Sequence, residues 1–166
     1  MFLEKETIKK ISRDRKKLEK KLKVRIEIKG QDVECIGDEI DVYISERVFE
    51  ALEKGFFVNK ALLLTDEDYV LEEIPIKNIS KKNINSIKAR IIGKQGKTLK
   101  TLCELSECHI SLYNNIVSVI GLSENIKDTL TALKSLIRGS KQSNVYSYLQ
   151  KVKEKPYIED LGIKQE

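Results

Sequence analysis

The chain has 166 residues, 40% of them hydrophobic and 34% charged, and a net charge of +5. That is material for one domain or two small ones, with a real core and a heavily ionic surface. No apolar run reaches the roughly 18 residues of a membrane span, and Cys35, Cys103 and Cys108 lack the spacing of a disulfide framework.

The start, Met1-Phe2-Leu3-Glu4-Lys5-Glu6, turns charged at once and has no signal-peptide core, so a cytoplasmic location is expected. Two prolines, eight glycines and no low-complexity tract argue against disorder. The charge is strongly segregated. Residues 1–30 hold 12 Lys/Arg against 5 Asp/Glu, residues 31–76 hold 3 against 13, and residues 77–103 hold 8 against none. A stretch of 27 residues without one acid suits contact with a polyanion, or else forms a solvated basic face. Lys outnumbers Arg 25 to 6, which favours backbone phosphates over bidentate base reading. The acidic stretch should face away from any nucleic acid and could meet a basic protein.

In chain order, Asp14–Leu22 reads as a short helix with a basic face. Lys23–Lys29 alternates apolar and charged residues and reads as a half-buried strand. Gly30-Gln31 turns the chain, and Val33–Ile36 returns as the second arm of a hairpin. Val42–Leu52 follows helical spacing and stops at Gly55, and Asn59–Leu64 adds a short helix. Tyr69–Ile76 is a strand in which Pro75 implies an edge or an end. Asn83–Ile92 and Lys97–Ser106 are helices interrupted by Gly93-Lys94-Gln95-Gly96. His109–Tyr113 and Ile116–Ile120 are strands joined by Asn114-Asn115, a two-residue turn that tolerates positive φ. Ser123 is expected to cap a long helix to Arg138, which Gly139 ends. Asn144–Lys153 is a last helix, and Pro156 begins a tail. Laying Ser12-Arg13-Asp14-Arg15 over Gly93–Gly96 makes the order helix, loop, helix, strand, turn, strand, long helix recur at about 81 residues. The fold class expected is α+β, with two βααββα modules: residues 1–64, residues 65–155 including a C-terminal helix, and a tail over 156–166.

The sharpest local signal is Arg90-Ile91-Ile92-Gly93-Lys94-Gln95-Gly96-Lys97-Thr98. A G-x-x-G alone is common. Here an apolar helix precedes it, another helix follows, and a hairpin comes next. Two glycines let the loop turn sharply and bring main-chain N–H groups near an anion. The following helix adds its positive dipole end, and Lys94 and Lys97 add charge. A GXXG loop that clamps about four nucleotides is the KH mode of single-strand recognition, whereas a plain helix–turn–helix corner would need the glycines only for the turn.

On these residues, with Gly121, Leu136-Ile137-Arg138-Gly139-Ser140, Val145-Tyr146 and Leu149, residues 69–153 resemble a type I KH module. Gly55-Phe56, Lys60-Ala61, Leu63 and Asp66–Leu71 resemble the join between modules in the archaeal branch of the two-KH ribosome-biogenesis proteins, the Dim-two or partner-of-Nob family. The resemblance covers nearly the whole chain. It implies single-stranded RNA binding near the 3′ end of small-subunit ribosomal RNA during its maturation. It also implies work beside a PIN-domain endonuclease, and a partner in the alpha subunit of translation initiation factor two. It maps the phosphate clamp onto Gly93, Lys94, Gln95 and Gly96. Ala89 falls at the small position beside a base, Ile91 and Ile92 support the loop and groove, and Ile110 and Leu112 lie on the opposite wall. Lys88, Arg90, Lys97 and Lys100 complete the expected RNA-binding set. The first module departs from the pattern: Ser12–Arg15 has no glycine, so packing or protein docking is expected of residues 1–64.

Other constellations carry less. Cys103, Cys108 and His109 lack paired metal-ligand spacing, and the cysteines suit a core. Asp66-Glu67-Asp68 suits a solvated turn. His109 is the single histidine, which leaves no acid–base pair, so no catalysis, metal or cofactor is expected. Three alternatives share these residues: an RNA-binding module of another assembly, such as an exosome-like or mRNA-regulatory one, a protein scaffold without RNA binding, and an enzyme acting on RNA.

Overall fold

The computed structural model describes residues 1–154, and one order of elements recurs in it. The first half runs α1 (Lys5–Arg13), α2 (Arg15–Leu22), β1 (Arg25–Lys29), β2 (Asp32–Ile36) and α3 (Glu39–Glu53). α4 (Val58–Ala61) and a 3-10 turn (Leu62–Thr65) lead into the second half. This runs β3 (Tyr69–Pro75), α5 (Ile76–Ile79), α6 (Ile84–Ile92), a 3-10 turn (Lys94–Gly96) and α7 (Lys97–Ser106). It closes with β4 (His109–Tyr113), β5 (Ile116–Leu122), α8 (Ser123–Arg138) and α9 (Gln142–Glu154). The tail expected at 156–166 lies outside the described residues.

The second sheet has the order β3-β5-β4, all antiparallel. β3 is therefore an edge strand that ends at Pro75, as the missing proline N–H requires. Asn114 and Asn115, at φ 45° and 68°, make the tight turn between β4 and β5. In the first half β1 pairs with β2, and Phe2 bridges Asp32 on the free side of β2. That bridge is all that corresponds to β3, so the repeat holds with its first strand reduced to one pair.

Three local expectations change. Residues 12–15 do not form a loop: α1 and α2 abut at Asp14, where φ −104° and ψ 15° mark the only break between them. Without glycine the chain stays near the helical basin. Ser123 is not the cap of α8 but its first residue, because β5 keeps pairing as far as Leu122 opposite Tyr69. The last helix begins two residues earlier than its apolar spacing implied, at Gln142.

Two apolar cores result. The second gathers Ile87, Ile91, Leu102, Val117, Val119 and Leu133 between the sheet and α6–α8. The first gathers Leu3, Ile11, Leu18, Ile26, Phe49 and Leu52, and it also takes Ile120 from β5. Side chains alternate across a strand, so Val117 and Val119 face one side of the sheet and Ile120 the other. The first half thus covers the back of the second sheet. Around Ile120 the contact is polar: Lys54 Nζ lies 2.9 Å from Glu73 Oε1, Ser111 Oγ donates to the Lys54 carbonyl at 2.7 Å, and Tyr113 Oη donates to Glu4 Oε2 at 2.8 Å. Lys10 Nζ donates to the Leu52 carbonyl at 3.2 Å and so closes the C-terminal end of α3.

Candidate nucleic-acid interface

The bend between α6 and α7 is built by its two glycines for different reasons. Gly93 has φ 73°, and a Cβ there would lie 2.0 Å from Thr98 Oγ1. Both conformation and space demand glycine. Gly96 has φ 74° with nothing within 4 Å of its missing Cβ, so only conformation demands it and the space above it is open. Gln95 is also left-handed, at φ 54°. Lys94, Gln95 and Lys97 are exposed around this open space, and α7 starts at Lys97 with its dipole end toward it.

A groove of about 420 Å³ lies between α6–α7 and β4 and reaches Ile92, the residue just before the bend. Ile92, Leu99 and Cys103 form one wall, and His109, Ile110 and Leu112 form the other. β4 pairs only with β5, so its second edge borders the groove. Burial pushes the His109 imidazole below its ordinary value, and the nearby Lys60 ammonium pushes it the same way. Burial pushes the Cys103 thiol up, against the opposing pull of the Ile110 main-chain N–H. No acidic residue lines the groove. A second hollow, about 270 Å³, lies between α7, α8 and α9 and presents Glu107, Glu124 and Asp128 against Lys153, which suits a polyanion poorly.

The expected set therefore divides. Gly93, Lys94, Gln95, Gly96 and Lys97 make the bend, Ile92, Ile110 and Leu112 line the groove, and Ala89 is exposed one turn before Ile92. Lys88 is half-buried on α6, and Lys100 is exposed on α7, 3.8 Å from Glu104. Two residues sit elsewhere. Ile91 is 0% exposed and belongs to the core, because the helical period puts it opposite Ala89 and about 100° round from Ile92. Arg90 turns its guanidinium away to the end of α8, donating to the carbonyls of Gly139 (3.0 Å) and Ser140. It supports the helix that carries the bend and does not face the groove.

Further residues complete the site. Gln142, the first residue of α9, donates from Nε2 to the Arg90 carbonyl at 3.2 Å and to Thr98 Oγ1 at 2.9 Å. It ties the end of α6 to the start of α7 across the bend. Phe56, Phe57 and Lys60 reach the groove from the first half. The sequence offered no periodic signal for Gln142 or Phe57. At position 121 a Cβ would lie 2.4 Å from Cys108 Sγ, so this glycine lets α7's outgoing chain pack on β5. Asp66, Glu67 and Asp68 lie in an exposed turn, with the Asp68 N–H donating to Asp66 Oδ1 at 3.0 Å.

Helix, GXXG bend, helix and edge strand around an acid-free groove form the KH arrangement. Comparison with known proteins agrees. The family model described as the eukaryotic-type KH domain (KH-domain type I), in its PNO1 second-domain form, matches residues 70–154. A KH domain-containing protein of Methanocaldococcus jannaschii is 30% identical over 149 residues, 85% of this chain and 66% of that protein. Pre-rRNA-processing protein PNO1 of Coccidioides immitis is 31% identical over 141 residues, 80% of this chain and 55% of that protein. The chain thus spans between about half and two thirds of the length of these curated relatives. A chain in the crystal structure of the a/eIF2alpha–aDim2p–rRNA complex from Pyrococcus horikoshii superposes with a TM-score of 0.81 at 28% identity, covering 92% of each chain. The chain belongs to the type I KH-domain family, in the branch of the archaeal Dim2p and eukaryotic PNO1 proteins.

Proposed function

We propose that this chain is a single-stranded RNA-binding protein of pre-rRNA processing, which holds the 3′ region of small-subunit ribosomal RNA while that end matures. The observation that carries the reading is the open space over Gly96, flanked by Lys94 and Lys97 at the mouth of an acid-free groove. Phosphates would sit over the bend, held by lysines, main-chain N–H groups and the α7 dipole. Bases would lie in the groove beside Ala89, Ile92 and Leu112, read by shape and by their edges. Support for ribosomal RNA comes from the relatives: one is a pre-rRNA-processing protein, and another is found with rRNA.

The reading gives the chain no catalytic step. It presents the RNA end to a PIN-domain endonuclease, or shields it. The alpha subunit of initiation factor two is a second protein partner, as in the complex of the Pyrococcus relative. The first half offers a surface suited to a protein: Ile36, Ile40 and Tyr43 are exposed beside Asp38, Glu39 and Asp41. At 12–15 it offers a polyanion little, since Arg13 and Arg15 pair at 3.1 Å with Asp14 and Glu19.

The test is competition binding between RNA carrying the 3′-terminal small-subunit sequence and a scrambled strand of the same composition. The ribosomal strand is expected to win clearly. Equal binding would overturn the ribosomal assignment and favour a module of another assembly.

A further inference from the structure

Phe57 is 76% exposed, the most of the large apolar side chains among the described residues. Its backbone is nevertheless fixed. Phe56 and Val58, at 4% and 6% exposure, anchor the chain on either side. The Phe57 carbonyl accepts the N–H groups of Lys60 at 2.9 Å and Ala61 at 3.0 Å as α4 begins. The segment is also fastened to the groove wall. Gly55, at φ 91°, lies so close to β4 that a Cβ there would meet Ser111 Oγ at 2.9 Å, and Ser111 Oγ donates to the Lys54 carbonyl at 2.7 Å. Phe57 is thus a ring left in solvent by a rigid frame, at the side of the groove formed by the first half. Lys60, one turn on, stands near enough for its charge to act on both His109 and Cys103 across the groove.

We propose that Phe57 is a stacking platform for one base of the strand held between α6–α7 and β4, with Lys60 on a neighbouring phosphate. The first half then supplies a wall of the RNA site without a GXXG loop of its own. The inference rests on the RNA reading above and extends it to residues outside the KH module. An exposed ring that lines a groove beside Lys60, with no acid in the lining, fits a ligand that has both flat bases and negative charge. An apolar protein segment would use the ring but leave Lys60 without a partner. Stacking on an aromatic ring is tolerant of sequence, so Phe57 would add affinity at one position and leave base choice to the groove.

Anisotropy titrations of the whole chain with a labelled single-stranded RNA oligonucleotide of mixed sequence, at several salt concentrations, test this. Phe57→Ala should weaken binding about 5- to 150-fold. Its log–log salt slope should stay unchanged, since no charge is lost, and its melting temperature should match the wild type. Phe57→Tyr should bind nearly as the wild type does. Lys60→Gln should make the slope shallower by about 0.7, the value of one phosphate contact on a single strand. If Phe57→Ala binds normally while the double change Lys94→Asp, Gln95→Asp abolishes binding, the platform is refuted and the groove reading stands. If neither variant loses affinity, both fall. A loss in Phe57→Ala that comes with a lower melting temperature and is not rescued by tyrosine also overturns the platform.

Discussion

Gly93 and Gly96 share a motif and a sign of φ, yet their neighbourhoods differ. Gly96→Ala adds only the cost of a left-handed alanine, about 1–2 kcal/mol. Gly93→Ala adds to this a clash with Thr98 and should cost on the order of 3 kcal/mol in urea unfolding. Arg90 makes a second contrast. Its guanidinium serves the carbonyls after α8, so Arg90→Gln should lower stability by about 1.5–3 kcal/mol and leave the salt slope of RNA binding unchanged. Lys94→Gln should do the reverse. His109 gives a pH dependence. Its folded pKa is held below the unfolded value, so the folded state prefers the neutral ring. The contribution is intact above the unfolded pKa of about 6.5 and is lost as pH falls from there through the folded value. Unfolding curves of His109→Gln should show a smaller loss of stability over that acid range than the wild type.

At the scale of elements, the bend is less a loop than a joint braced from behind. Gln142 of α9 holds the Arg90 carbonyl and the Thr98 hydroxyl together, so Gln142→Ala leaves both without that partner. A cost of about 1–3 kcal/mol is expected, together with weaker RNA binding, because α6 and α7 lose their tie. Hydrogen exchange of residues 93–99 should rise in this variant. The brace explains what the sequence displayed and what it hid. The bend was legible, because glycine pairs, lysines and flanking helical periods lie within ten residues of one another. The β4–β5 hairpin was legible from the alternation in β4, the apolar residues of β5 and Asn114-Asn115. Arg90 and Gln142 were not, since their partners are 44 to 52 residues away and a polar side chain shows no period. α1 was obscured because Thr7 and Ile11 are its buried residues among several lysines.

At the scale of the whole molecule, the first half packs on the back of the second half's sheet. Ile120 belongs to a strand of the second half and a core of the first, with 0% exposure. Ile120→Ala should cost about 2–5 kcal/mol and should shift one unfolding transition without splitting it in two. Calorimetry distinguishes these outcomes. The same packing orders charge across the molecule. The acid-free segment 77–103 carries the bend and one groove wall, whereas the acidic stretch 31–76 supplies β2, α3 and β3 and reaches the groove through Phe56, Phe57 and Lys60, which lie in its acid-free run 54–65. The central claim is that nucleotide phosphates lie over the bend between α6 and α7. The most direct measurement is the salt dependence of single-stranded RNA affinity for the wild type and for Lys94→Asp, Gln95→Asp. With two to four phosphates held there, the wild-type log–log slope should be roughly −1.4 to −2.8, and the double variant should lose binding. A flat wild-type slope, or a double variant that binds as well as the wild type, would contradict the account.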